Sequence, residues 1–367
     1  MADLTESRNC VFEAWKLDRG MERDRIADLF RMTLLYLAMT TLDKLLGIRY
    51  PIIVAPMFLI SNSRMIIAAL RSGVTAAFPA LNYRTDEELR AVIREIRRAS
   101  DKPFGVNLIV NRSNLKYKSQ LKTLLDLKVD FIITSLGSPQ EVIEQCKPLG
   151  IKVFCDVIDL KYARKVEEMG ADALIAVNNR AGGHAGAISP YELVTSLKNN
   201  CRIPIISAGG VATGRDLKQV LDWGAAGASI GTIFIACEES DITPEYKQAM
   251  IDYGEKDIVM TTKLSGSPLT VINTPYVQQL GTKANLLELI LNNNKTLKKY
   301  AKMLIAFRGM KAVEKAAFGA TYKTVWCAGP AIEHVKRVQP IADIINAITR
   351  QFNEVSNEIP DVSPRSS

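Results

Sequence analysis

From about residue 50 the chain settles into a rhythm. Short apolar runs, rich in β-branched residues, alternate with stretches of helical periodicity. The runs are Ile52–Ala55, Val74–Phe78, Phe104–Val110, Phe131–Thr134, Ile151–Cys155, Ala173–Val177, Ile203–Ala208 and Ala228–Ile230. Between them lie helical patterns at 85–99, 114–127, 139–148, 159–169 and 213–222. Thr85 followed three residues later by Glu88 has the form of a capping box. Near-continuous apolar strands are what a parallel sheet covered on both faces requires. Eight strand–helix units predict an α/β fold, a (β/α)8 TIM barrel. Six or fewer would point to a doubly wound sheet.

After residue 240 the rhythm stops. The patterns at 244–254, 284–292, 295–318 and 339–354 read as helices, with an irregular stretch at 266–275. The expected organisation has four parts. Residues 1–38 form an extension of uncertain status, charge-rich but with apolar periodicity at Ile26, Leu29 and Phe30. Residues 39–243 form the barrel. Residues 244–325 form a helical subdomain over or beside the barrel mouth. Residues 326–367 carry a helix packing back on the barrel and a frayed tail. The sequence MTTLDKLLGIRYP from Met39 reads like a natural beginning, so 1–38 is either a true appendage or an artefact of start-site choice.

Composition narrows the chemistry. The chain has two histidines, His184 and His334, and six cysteines without a C-x-x-C pair. A zinc cluster is therefore not expected, and scattered cysteines suit a reducing compartment. No apolar run reaches the length of a membrane span. The first residues carry acids where a secretory signal would be apolar. Cytoplasm is the expected location. H-E-x-x-H and a G-x-G-x-x-G after the first strand are absent.

In such a barrel the active site lies at the strands' C-terminal ends, which selects a few loops. The loop after the sixth strand reads Asn178-Asn179-Arg180-Ala181-Gly182-Gly183-His184-Ala185-Gly186. Its glycines let backbone approach a flat ligand closely, and its imidazole titrates near neutrality. A tight turn with a surface histidine is the competing reading. After the seventh strand comes Ser207-Ala208-Gly209-Gly210, and after the eighth Gly231-Thr232. Loops at these two strands recur as phosphate sites in barrel enzymes, although either glycine pair alone could be a plain turn. Ala55-Pro56-Met57 closes the first strand. Asn107 interrupts the third, and Asp156 follows Cys155 at the end of the fifth. Asn107 reads as a pocket-facing amide. Asp156 is either a site residue or part of a helix cap.

Taken together these segments resemble a known family. Ala181-Gly182-Gly183-His184-Ala185-Gly186 is similar to its A-G-G-H-x-G motif. Gly209-Gly210-Val211-Ala212-Thr213-Gly214, Gly224-Ala225, Gly231-Thr232-Ile233-Phe234 and Glu239-Ser240 resemble its longer glycine pattern. Tyr50-Pro51-Ile52-Ile53 and Ala55-Pro56-Met57 are similar to its first strand. The family is that of the nitronate monooxygenases, or 2-nitropropane dioxygenases, with the related FMN-dependent enoyl-acyl-carrier-protein reductases. The resemblance runs from about Leu42 to Gly329. Arg180 stands where many members have Glu, and Pro330 where many have Gln.

The resemblance implies a barrel that binds FMN without a covalent bond. FMN contacts would come from Ala55, Pro56, Met57, Asn107, Asp156, Ala181, Gly182, Gly183, Ser207, Gly209, Gly210, Gly231 and Thr232, and His184 would be catalytic. The implied reaction is oxidation of an alkyl nitronate or nitroalkane by dioxygen to a carbonyl compound and nitrite. The alternative is an NAD(P)H-dependent reductase of an enoyl-acyl-carrier protein or quinone. The expected partners are a small-molecule substrate and dioxygen, with no nucleic acid, metal or membrane. The net charge of +8 is concentrated at 283–324, where nine Lys or Arg face two Glu. That segment is either a solvated helix face or a docking surface for an acidic carrier protein.

Overall fold

The computed structural model describes residues 40–111, 114–262, 268–281 and 325–357. The chain divides into two units, Met1–Thr40 and Thr41–Ser367, and the second carries everything below. The extension at 1–38, the helices expected at 284–292 and 295–318 and the basic segment at 283–324 lie outside the described residues.

The eight expected runs form one closed parallel barrel. Its strands are β1 (Ile52–Val54), β2 (Thr75–Pro79), β3 (Gly105–Ile109), β4 (Phe131–Ser135), β5 (Lys152–Val157), β6 (Ala173–Val177), β8 (Ile205–Ala208) and β9 (Gly227–Ile230). Between the sixth and seventh barrel strands a two-residue strand, β7 (Gly183–His184), leaves the barrel wall. Closure is set by β1 against β9, with Ile52 opposite Ala228 and Val54 opposite Ile230. The helices on the outer ring begin on side chains chosen for the purpose. Thr85, Ser189 and Thr213 each cap a first turn in a reciprocal capping box, the first at the expected position.

Alternation along each strand divides the core in two. Val106, Leu108, Ile132, Cys155 and Ile205 pack outward beneath the helices. Ile53, Ala77, Phe131, Ile133, Phe154, Ala173, Ile175, Ile206 and Ala208 fill the barrel interior. The rings of Phe131 and Phe154 stack with centroids 4.8 Å apart. Gly105 makes that possible, because a Cβ there would collide with the Phe131 ring. Below them Leu42, fully buried, joins the interior cluster, and its amide donates to Ala226 O at 2.8 Å. The short helix Leu42–Leu46 thus plugs the N-terminal end of the barrel.

The C-terminal helix Ile341–Asn357 buries Ile341, Ile344, Ile345 and Ile348. It lies against the helix Gly214–Asp222. Gly214 is the point of closest approach: a Cβ there would collide with Ile348 O and Phe352 N, and its amide donates to Gln351 Oε1 at 2.8 Å.

The structure differs from the sequence reading between 253 and 281. There the chain is not simply helical. Strands β10 (Ile258–Thr261) and β11 (Leu269–Ile272) pair antiparallel, and β11 also pairs with β7. β11 falls within the stretch expected to be irregular. Its four residues are all buried, and the glycines and proline before it mask that pattern in the sequence. Among the described residues, no helix is long and apolar enough to cross a membrane, and no group of three His, Cys, Asp or Glu could hold a metal ion.

Candidate active site

Four backbone segments meet at the C-terminal ends of the strands. The first is the loop from Asn178 to Gly186. Asn178 is buried and organises it: its Oδ1 accepts from Arg180 N at 2.8 Å, and its carbonyl accepts from Ala181 N and Gly186 N. Its Nδ2 also donates to Gly209 O at 3.1 Å, tying this loop to the next.

The second segment is Gly209-Gly210. Both residues have left-handed φ, +116° and +84°, which glycine adopts without strain. A Cβ on Gly209 would stand 2.5 Å from Ala181 N. The third is Gly231-Thr232. The space above Gly231 is bounded by Ala55 Cβ and the Met57 sulfur, 3.5 and 3.6 Å from where its own Cβ would be. The fourth, Ala328-Gly329, comes from far along the chain. Gly329 N donates to Thr232 Oγ1 at 3.1 Å, and a Cβ on Gly182 would stand 2.8 Å from Gly329 N. The amides of Gly209, Gly210, Gly231 and Thr232 donate to no acceptor among the described residues. Successive open amides of this kind attract anions.

A polar arc lies inside the rim on three consecutive strands. Asn107 Nδ2 donates to Ile133 O at 3.2 Å and to Ser135 Oγ at 2.7 Å. The Ser135 hydroxyl donates to the Asp156 carboxylate. Burial pushes the Asp156 carboxyl up to about 6, against which the Ser135 hydrogen bond works.

His184 stands on β7, opposite Leu269 of β11. Thr270 anchors the strand from behind, its Oγ1 donating to Ala181 O at 2.5 Å and lying 3.2 Å from Gly183 O. The imidazole keeps a solvent-accessible face. Partial burial of the ring nevertheless lowers its pKa below the usual value. The ring is therefore neutral, able to accept a proton, over more of the pH range.

Most of the residues singled out in the sequence come together here: Ala55, Met57, Asn107, Asp156, Ala181 to His184, Gly209, Gly210, Gly231 and Thr232, with Pro56 between two of them. Ser207 does not. Ile206 and Ala208 face the barrel interior and Ile205 the helices, so strand alternation turns Ser207 toward the helical layer. Its hydroxyl is buried there without a hydrogen-bond partner among the described residues. Sequence reasoning missed Ser135, Asn178, Thr270 and Gly329 as organising residues. Asn178 carried a signal, a buried-type position occupied by an amide at a strand end. Thr270 carried none.

A closed parallel barrel with open amides beside an imidazole at its mouth defines a (β/α)8-barrel enzyme. The family model described as nitronate monooxygenase matches residues 39–118 and 112–351. The chain belongs to that family, and is a flavin-dependent oxidoreductase. A curated relative from Rhodococcus jostii is 30% identical over 68% of this chain and 70% of its own. It is named (3aS,4S,5R,7aS)-5-hydroxy-7a-methyl-1-oxo-octahydro-1H-indene-4-carboxyl-CoA dehydrogenase. A nitronate monooxygenase from Paraburkholderia phytofirmans is 29% identical over 60% of this chain and 73% of its own. Among solved structures, FabK from Thermotoga maritima superposes with a TM-score of 0.75 at 28% identity, covering 87% of this chain and 97% of that one.

Proposed function

We propose that the protein binds FMN at this mouth and oxidises alkyl nitronates, or the nitroalkanes from which they derive, with dioxygen as acceptor. One observation carries the reading: the imidazole of His184 stands two residues from Gly182, which packs against Thr232 and Gly329 of a bare-backbone anion cradle. The donor set fits a flavin phosphate. Gly209, Gly210, Gly231 and Thr232 would hold it through their amides, at a surface that side chains on the glycines would close. Ala55, Met57, Asn107 and Gly182 would border the ring system, and Asp156 would reach it from the polar arc.

The chemistry FMN supplies when bound is electron transfer from the nitronate, with dioxygen completing the oxidation to a carbonyl compound and nitrite. The chain's own part is acid–base and positional. Neutral His184 takes the α-proton of a nitroalkane, leaving the nitronate anion, and the resulting imidazolium holds that anion in place. Thr270 and Asn178 fix the backbone on which this occurs.

A second reading, an NAD(P)H-dependent reductase of an enoyl thioester or quinone, is favoured by the likeness to FabK and by the CoA-thioester dehydrogenase among the relatives. Anaerobic mixing separates the two. Bleaching of the yellow protein by a nitronate, with NADH and NADPH inert, supports nitronate oxidation. Rapid bleaching by a reduced nicotinamide replaces it with the reductase.

A further inference from the structure

The anion cradle lacks most of the donors that a helix beginning just after Gly-Gly would normally add. The amides of Ala212, Thr213, Gly214 and Asp216 around its start are already taken. Asp216 Oδ2 accepts from Ala212 N at 3.0 Å, Thr213 N at 2.9 Å and Thr213 Oγ1 at 2.8 Å, and Gly214 N goes to Gln351. The helix Gly214–Asp222 therefore presents a carboxylate at the end where an anion would be welcomed. An extra negative charge beside a phosphate calls for a compensating cation.

Arg180 supplies one. Its side chain lies across Gly210, with Cβ, Cδ and Nε each 3.2 Å from where a Cβ on Gly210 would stand. Its backbone is pinned by Asn178 Oδ1 at 2.8 Å. Its guanidinium is paired with Glu255, Nη1 to Oε1 at 2.9 Å, and both side chains are partly exposed, 40% and 49%. Exposed pairs of this kind contribute little and exchange partners readily.

Resting on the FMN reading above, we propose that Arg180 is a phosphate-binding residue of the cofactor site, held by Glu255 until the phosphate arrives. A guanidinium forms charge-assisted, forked hydrogen bonds to phosphate that a lone carboxylate partner at the surface cannot outmatch. Glu255 is then a competitor for the cation, and cofactor loading releases it.

The test is flavin affinity of the apoprotein, read by flavin fluorescence and not by turnover. FMN is compared with riboflavin, which has the same ring system and no phosphate. Arg180→Gln is expected to weaken FMN about 10-fold and leave riboflavin unchanged. Arg180→Lys is expected to recover part of the loss, and Glu255→Gln to tighten FMN about twofold. An Arg180→Gln protein that keeps wild-type FMN affinity overturns the proposal. So does one that loses FMN and riboflavin equally, since that marks a packing role. Wild-type protein that binds FMN no better than riboflavin overturns the cofactor reading as well, whatever the variants do.

Discussion

His184 faces Leu269 across an antiparallel ladder, so the candidate base sits on a hydrogen-bonded strand and not on a free loop. Its ring position is set by segments 85 residues apart in the sequence, which makes several outcomes predictable.

Replacing His184 by Ala should leave FMN bound while lowering turnover of neutral nitroalkanes by about 10²-fold or more. Preformed nitronates should be affected far less, because the proton is already gone. Steady-state kinetics on both forms of one nitroalkane checks this, and equal losses on the two would reject the base assignment.

Acid should act on kcat/KM later than a free imidazole would allow. Desolvation lowers the His184 pKa, so the neutral base survives below the ordinary value of 6.5 and activity should fall only under that pH. Asp156, at about 6, titrates in the same mouth. Asp156→Asn should leave the acid limb in place if His184 is its source; a pH–rate profile in which the limb vanishes would transfer it to Asp156.

Asp156 also makes a stability prediction. Its folded pKa is raised from 3.8 to about 6. The folded state therefore holds the proton more tightly than the unfolded chain does. That advantage is present at acid pH and is lost as pH rises from about 4 to about 6. Asp156→Asn should flatten this part of the stability curve, measured by urea denaturation across the range. A wild-type curve already flat there would contradict the burial argument.

Thr270→Val should destabilise the protein by about 1 kcal/mol, since two loop carbonyls lose their hydroxyl partner. It should also lower kcat with little change in FMN affinity. Unaltered kcat would mean that β7 holds His184 without this anchor.

Gly209→Ala should yield colourless protein of near-normal fold. Its Cβ would press on Ala181 N, and the left-handed backbone would be strained. Visible absorbance of the purified variant decides the matter; full yellow colour would remove Gly209 from the cofactor site.

The barrel was readable from sequence because its strands are buried on both faces and so appear as unbroken apolar runs. Gly182-Gly183-His184, Gly209-Gly210 and Gly231-Thr232 were readable because unusual residue types fall at strand ends. Ser135 was not, since a serine closing FIITS looks like any strand terminus. β7 was not, because two residues carry no periodicity and their partner β11 lies behind a run of glycine, serine and proline. Ser207 stands apart from the other candidates because strand alternation turns it to the opposite face from Ile206 and Ala208.

The helix Leu42–Leu46 and the Phe131–Phe154 stack have a consequence for traffic. They fill the floor of the barrel, so nothing passes through it from end to end, and a molecule bound at the strands' C-terminal ends cannot leave by way of the barrel axis.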